Sequence, residues 1–148
     1  MKKLIAGFLI SATFSSFSGW ALENSPIGLW KNIDDNTGKS KALIRITEHG
    51  GMYEGRIEKL FLKPSEDQNP MCVKCEGELK DQPSLGMKIL SGIAQNSTEY
   101  SGGTIVDPEN GKSYHSKLLL DDNGKKLIVR GYIGISLFGR SQTWERVE

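Results

Sequence analysis

Most of the chain consists of short segments in which hydrophobic and polar positions alternate. Residues 40–48 show this most clearly, because Ala42, Ile44 and Ile46 fall on one face while the residues between them fall on the other. Successive side chains of a strand point to opposite faces, so the pattern predicts a half-buried β-strand. No segment shows the 3.6-residue apolar period of an amphipathic helix. The sequence therefore predicts an all-β fold.

About eight segments fit the strand pattern, and turns rich in Gly, Asn, Asp and Pro separate them. The predicted strands are residues 27–33, 40–48, 52–62, 85–90, 100–106, 113–120, 126–132 and 142–147. Tight turns such as Asp-Asp-Asn-Gly at 121–124 favour hairpins, so consecutive strands should pair antiparallel. A sandwich or a closed barrel fits this pattern, and only the barrel leaves no strand edge exposed. We predict a small antiparallel β-barrel of about eight strands.

The connections between the predicted strands are of two kinds. Segments 33–40 and 106–113 carry Asp, Gly, Lys and Ser at matching positions. This predicts turns that Asp or Asn side chains cap, with Gly in the left-handed conformation. Segment 63–84 is much longer and holds three of the five prolines and both cysteines. We expect it to form a loop or flap.

The N-terminus has the zones of a secretory signal peptide. Lys2 and Lys3 precede an apolar run, and the small residues Gly19 and Ala21 follow it. The run is shorter than the roughly 20 residues of a membrane-spanning helix, and no cysteine follows the cleavage site to accept a lipid. We expect cleavage after Ala21, residues 22–148 as one domain, and a periplasmic or secreted protein that is neither a lipoprotein nor membrane-spanning.

The charge of the expected domain argues against polyanionic partners. Removing Lys2 and Lys3 leaves 17 basic against 18 acidic residues, a formal net charge of −1. Nucleic-acid binding depends on excess positive charge, which this domain lacks. We therefore expect no nucleic-acid partner, and a small apolar ligand or an envelope protein instead.

The two cysteines form a Cys-x-x-Cys pair, Cys72 and Cys75. In an oxidising compartment they should form a disulfide. The leading interpretation is a local structural staple, because no helix pattern follows that would lower a thiol pKa. Redox activity and half of a zinc site remain alternatives. Zinc would need two more ligands, for which the sequence offers His49 and His115.

No catalytic motif is present in the sequence. Neither a Gly-x-Ser-x-Gly elbow nor a His-Glu-x-x-His metal motif occurs. We therefore expect no enzymatic activity, no cofactor and no metal.

Motifs from several parts of the chain, most of all the C-terminal segment, resemble a known family. The motifs are Gly28-x-Trp30, Cys72-x-x-Cys75, Asp107-Pro108-x-Asn110-Gly111-Lys112, Val129-Arg130-Gly131-Tyr132-x-Gly134 and Phe138-Gly139-Arg140-x-Gln142-Thr143-Trp144-x-Arg146. They resemble the exported bacterial domain-of-unknown-function family two-one-four-seven, whose activity is undefined. This family looks related to the calycins, the lipocalin group of small β-barrels.

The resemblance implies how the barrel closes. In lipocalins the indole of Gly-x-Trp closes the barrel base beneath an arginine near the chain end. Here the resemblance implies the same role for Gly28, Trp30 and Trp144 with Arg146, or alternatively Arg140, through a cation–π contact. A barrel of about eight strands is either filled by side chains or holds one small ligand, and both interpretations stay open at this stage.

The leading hypothesis is a protein that binds a lipid or another small apolar or amphipathic molecule. Aromatic residues would contact the ligand, and flanking arginines would orient an anionic headgroup. The candidate ligand-binding residues are Tyr53, Tyr114, Arg130, Tyr132, Phe138 and Arg140. One alternative is an interaction module in which residues 133–138 meet an envelope protein. A second alternative is a redox protein that uses Cys72 and Cys75.

Overall fold

The computed structural model describes residues 24–148. The predicted signal peptide, residues 1–21, and its cleavage site lie outside the described residues. Eight strands form a closed barrel in which each strand pairs antiparallel with the next and the last pairs with the first. The strands are β1 (Gly28–Ile33), β2 (Ser40–His49), β3 (Met52–Leu60), β4 (Lys88–Asn96), β5 (Glu99–Val106), β6 (Ser113–Asp121), β7 (Lys126–Tyr132) and β8 (Gly139–Arg146). The predicted all-β, eight-stranded antiparallel barrel is confirmed.

Two predicted strands differ from the observed ones by three or more residues at a bound, and the others agree within two residues. β4 begins at Lys88 and continues to Asn96, whereas the sequence pattern placed it at 85–90. The positive φ of Gly92 (68°) and two register shifts against β3 interrupt the alternation that would have revealed its second half. β8 begins at Gly139, three residues before the predicted start.

Inward-facing side chains fill one end of the barrel. Ile44 and Ile46 of β2 are buried there, as the alternation of this strand predicted. Strands β1, β4, β6 and β7 add fully buried side chains at the same end: Trp30, Ile93, Leu118 and Leu127. Complete burial of one such side chain contributes about 1.5–3 kcal/mol. This end of the barrel, which we call the closed end, supplies much of the hydrophobic core.

Residues before the first strand cross the closed end. The Trp30 indole Nε1 donates a 2.7 Å hydrogen bond to the carbonyl oxygen of Pro26. The Tyr100 hydroxyl donates to the carbonyl oxygen of Asn24 at 3.3 Å. Tyr53 packs edge-to-face against Tyr100, with 5.1 Å between ring centroids. Burial, and then the neighbouring Tyr53, raise the pKa of Tyr100.

Arg146 joins the first and last strands at the closed end. Its guanidinium lies 4.2 Å from the centroid of the Trp30 ring. It also donates hydrogen bonds of 2.6 to 2.8 Å to the carbonyl oxygens of Ser25, Ile27 and Gly124. One side chain therefore ties the entry segment, β1 and the β6–β7 turn together, and Arg146, not Arg140, occupies the position over the tryptophan.

Gly28 is required beside this arginine. Its φ is 141°, and a Cβ at this position would lie 2.4 Å from the carbonyl oxygen of Glu148 and 2.8 Å from Arg146 Nη1. A side chain would push the C-terminus off β1, where the Leu29 amide donates to that same Glu148 oxygen at 2.9 Å. The glycine of Gly-x-Trp is therefore needed for close backbone approach.

Replacing Arg146 with Met should lower the free energy of unfolding by about 2–4 kcal/mol, because carbonyl groups lose charged donors and Trp30 loses its cation. Arg140→Met is the matched control, since Arg140 makes an exposed ion pair with Asp35 and should change stability by less than about 1 kcal/mol. Denaturant unfolding followed by Trp fluorescence measures both. Equal losses in the two variants would contradict the role given to Arg146.

Candidate functional site

The other end of the barrel is hollow. A cavity of about 1090 Å³ opens to solvent there, which is at the upper end of the size of small-molecule sites, about 300–1,000 Å³. Four connections surround its mouth: 34–39, 61–87, 107–112 and 133–138. The barrel is thus packed with side chains in one half and open in the other, so side chains do not fill it completely.

The inner wall of the cavity is mainly apolar. Its lining includes side chains from β2, β3, β4, β5, β7 and β8: Ala42, Ile44, Ile57, Ile89, Ile105, Val129 and Trp144. Such a wall favours an apolar or amphipathic molecule, since burial of apolar surface releases about 25 cal/mol per Å².

One small residue leaves room inside the barrel. Gly131 on β7 lines the cavity and pairs with Ser116 of β6. A Cβ at Gly131 would be in ordinary contact with Tyr114 Cβ at 3.4 Å and Ile105 Cγ2 at 3.5 Å. Gly131 therefore leaves space that a larger side chain would fill.

The cysteine-containing segment packs over the mouth of the cavity. Cys72 and Cys75 form the predicted disulfide, and both are buried. Cys72 Sγ lies 3.2 Å from the carbonyl oxygen of Pro108 in the β5–β6 turn. A Cβ at Gly111 would lie only 2.0 Å from the carbonyl oxygen of Lys74. The disulfide loop and the β5–β6 turn thus touch through their backbones.

Charged side chains around the cavity balance one another. Its lining holds four basic and four acidic residues: Lys39, Lys41, Lys63, Arg140, Asp34, Glu66, Asp107 and Glu109. Lys41 Nζ lies 2.6 Å from Glu109 across the mouth, and Arg140 Nη2 lies 2.6 Å from Asp35. The rim therefore gives no strong preference for a ligand of either charge.

The two matching turns lie on this rim and have the predicted geometry. Gly38 and Gly111 adopt φ of 68° and 73°, and each amide donates to the carbonyl oxygen of the Asp four residues earlier. Asp34 Oδ1 accepts from the amide of Thr37 at 2.8 Å and from its hydroxyl at 3.0 Å. These bonds, the backbone bond first, lower the pKa of Asp34.

The pKa of Asp34 should be measurable below its ordinary value of 3.8 by NMR titration. Because its pKa is depressed, the ionised carboxylate stabilises the turn at pH values above the ordinary pKa of 3.8. This contribution is lost as the pH falls through the folded pKa. Thr37→Val keeps the backbone bond but removes the hydroxyl, so the pKa should rise part of the way back. A pKa of Asp34 at or above the ordinary value would contradict this account of the turn.

The structure brings together some of the predicted ligand-binding residues. Tyr114, Tyr132, Phe138 and Arg140 border the cavity, and the Tyr114 hydroxyl accepts a hydrogen bond from Asn110 Nδ2 at 3.2 Å. The Tyr132 ring lies 5.5 Å from the His115 ring, and Phe138 is 72% exposed at the mouth.

Two predicted ligand-binding residues lie elsewhere. Tyr53 packs on Tyr100 at the closed end. Arg130 donates hydrogen bonds to the carbonyl oxygens of Ser136 and Leu137, at 2.7 and 3.3 Å. It therefore shapes the β7–β8 loop and does not line the cavity. Val129 on β7 is buried inside the barrel, so the neighbouring Arg130 faces outward, and the alternation of the strand carried this information.

Two polar residues of the cavity were not predicted from the sequence. Asn32 and Gln142 both line it, and Asn32 Nδ2 donates to Gln142 Oε1 at 2.9 Å. Asn32 lies two residues after Trp30 and Gln142 two residues before Trp144, so strand alternation puts each on the same face as a buried indole. That spacing was the available signal.

Neither a metal cluster nor a spanning helix is found in the described part of the chain. Among residues 24–148, no group of three or more His, Cys, Asp and Glu side chains is arranged to hold a metal ion. Within the same residues, no helix is both long and apolar enough to cross a membrane.

The fold is that of a lipocalin-like barrel. A solved structure with this fold is protein HP1028 of the human pathogen Helicobacter pylori, which is described as belonging to the lipocalin family. It matches with a TM-score of 0.69 and 18% sequence identity, over 82% of each chain. At this identity the similarity establishes the fold alone.

The family follows from the sequence of the barrel itself. Residues 28–146 match the family described as "Uncharacterized protein conserved in bacteria (DUF2147)", and the chain belongs to this family. This is the family that the C-terminal motifs resembled. Comparison with curated proteins finds no match.

Proposed function

We propose that this protein is an exported carrier that binds a small apolar or amphipathic molecule, such as a lipid, inside the barrel. The main observation behind this proposal is the cavity of about 1090 Å³ with its mainly apolar wall. The lipocalin-like fold supports the proposal, since eight-stranded barrels of this type can hold one small ligand. Sequence supports export, through the predicted signal peptide at residues 1–21.

The buried disulfide fits a structural role in this carrier. Cys72 and Cys75 hold the segment that packs on the β5–β6 turn at the mouth. Their residues are 0% and 2% exposed, which limits access for a thiol partner. We therefore rank redox activity below ligand binding.

A second candidate function is protein docking through the β7–β8 loop. Ile133, Ile135, Leu137 and Phe138 are 57% to 80% exposed there. Such a contiguous apolar group is typical of an interaction site. The two functions separate by mutation: a docking module would lose function in Leu137→Asp, whereas a carrier would lose it when the cavity is filled.

Filling the cavity should weaken binding without disturbing the fold. Gly131→Val should weaken binding of the neutral apolar dye N-phenyl-1-naphthylamine by about tenfold or more, because the added methyl groups occupy ligand space. Gly131→Ala should give an intermediate loss. Fluorescence titration measures the dissociation constants, and thermal unfolding checks the fold.

The matched control adds volume outside the barrel. Leu119 lies on β6 and is 44% exposed, so Leu119→Phe should leave dye binding unchanged. Native mass spectrometry of the protein purified from its producing cells would add an independent test by detecting a co-purifying ligand. Equal dye affinity in wild type and Gly131→Val would contradict the proposal that the cavity is the binding site.

Export should leave a defined N-terminus. The protein recovered from the periplasm or culture medium should begin at Leu22, because Gly19 and Ala21 provide the small-x-small pattern of a cleavage site. N-terminal sequencing and cell fractionation measure this. Ala21→Lys should block processing, and a mature protein that retains Met1 in the cytoplasm would overturn the proposed location.

A further inference from the structure

Three polar side chains meet within the apolar cavity, where β1 and β8 pair. Asn32 Nδ2 donates to Gln142 Oε1 at 2.9 Å, and Trp144 Nε1 approaches the same oxygen at 3.3 Å. All three residues line the cavity. We call Asn32 and Gln142 the amide pair.

The indole fixes which way the amide pair points. Trp144 Nε1 carries a hydrogen and can only donate, so the Gln142 atom that it reaches must be the carbonyl oxygen. The Asn32 atom beside that oxygen must then be the amide nitrogen. Rotating either amide by 180° would oppose two donors or two acceptors, so the orientation follows from chemistry.

This orientation leaves one donor group and one acceptor for a ligand. Among residues 24–148, no side chain or backbone group pairs with Gln142 Nε2 or with Asn32 Oδ1. Neither atom is a fully buried unpaired atom, so both are accessible from open space. The amide pair thus offers an N–H donor and a carbonyl acceptor from neighbouring strands.

The surroundings of the amide pair favour a neutral partner. Ile44, Val129 and Trp144 line the same cavity and are 1% to 3% exposed. Arg140, which the sequence suggested for an anionic head, is already paired with Asp35. A carboxylate placed against the amide pair would lose hydration and would meet the Asn32 carbonyl. A neutral group with adjacent donor and acceptor would satisfy both amides.

We propose that the cavity selects molecules that combine an apolar body with a neutral carboxamide-type head, whose carbonyl accepts from Gln142 and whose N–H donates to Asn32. This inference rests on the proposed carrier function and names its ligand class. Trp144 acts as a positioning residue, because it touches the amide pair and sets its polarity.

The test compares two probes of equal chain length that differ in the head. Decanamide and decanoate would each displace N-phenyl-1-naphthylamine from the full mature protein at neutral pH. Decanamide should compete at about tenfold lower concentration, as expected if the two hydrogen bonds add about 0.5–1.5 kcal/mol each. Competition titrations give the ratio of the two affinities.

Variants of the amide pair should remove the preference while the dye still binds. In Gln142→Leu the ratio should fall towards one. Gln142→Met is a second, nearly isosteric and uncharged variant that also lacks the donor, so the ratio should fall there too if the Leu variant fails to fold. Trp144→Phe should lower the ratio by freeing the amide to rotate. Thr143→Leu, the next residue on the exposed face of β8, is the matched control and should keep the ratio.

The outcomes separate the two levels of the proposal. Dye binding with no preference for decanamide, or with a preference that survives in Gln142→Leu and Gln142→Met, overturns the carboxamide inference and leaves the carrier function standing. A wild-type protein that binds neither dye nor probe overturns the carrier function, and the inference with it. A tenfold preference that disappears in these variants and persists in Thr143→Leu supports both.

Discussion

The contact between Arg146 and Trp30 is the interaction on which the barrel depends. β1 and β8 share only three paired positions, Trp30 with Arg146, Lys31 with Glu145 and Asn32 with Trp144. This is the shortest ladder in the barrel, and closure requires it. The guanidinium covers the indole and binds three carbonyl groups at once, two in the entry segment and one in the β6–β7 turn. The contacts of one side chain thus compensate for the small number of backbone pairs between β1 and β8.

Closure of this ladder also creates the interior of the cavity. The pair that brings Asn32 opposite Trp144 sets the amide of Gln142 beside both side chains. Towards the closed end the same two strands carry the Trp30–Arg146 contact. One strand pair therefore joins the packed half of the molecule to the half that holds the cavity. A loss of register there would disturb both.

Strand alternation predicted the parts of the fold that repeat regularly. The buried face of β2 followed from Ala42, Ile44 and Ile46, and the turn at Gly38 from its Asp and Gly positions. The second half of β4 was not predicted, because the bulge at Gly92 interrupts the two-residue alternation by which a strand is recognised. The start of β8 escaped because glycine is a weak strand former.

The candidate site was harder to predict than the fold. Aromatic residues and arginines were chosen for their chemistry, but Arg130 is held in the β7–β8 loop and Tyr53 in the closed end. Asn32 and Gln142 look like ordinary polar residues until the closure of the sheet sets them opposite each other, 110 positions apart in the chain. The local sequence indicates which face of a strand a side chain lies on, but it does not indicate which strand will pair with that strand.

The entry segment and the last strand meet across 121 positions, from Ser25 to Arg146. A chain that emerges N-terminus first can pair β1 with β2 early, but the other edge of β1 has no partner until β8 has emerged. Its last folding step must be a long-range one, and contacts of this separation form slowly. Until then the first strand presents an unpaired edge, the feature that makes nascent β-proteins prone to associate. Barrel closure thus depends on the presence of β8, since only a chain that contains this strand can complete the sheet.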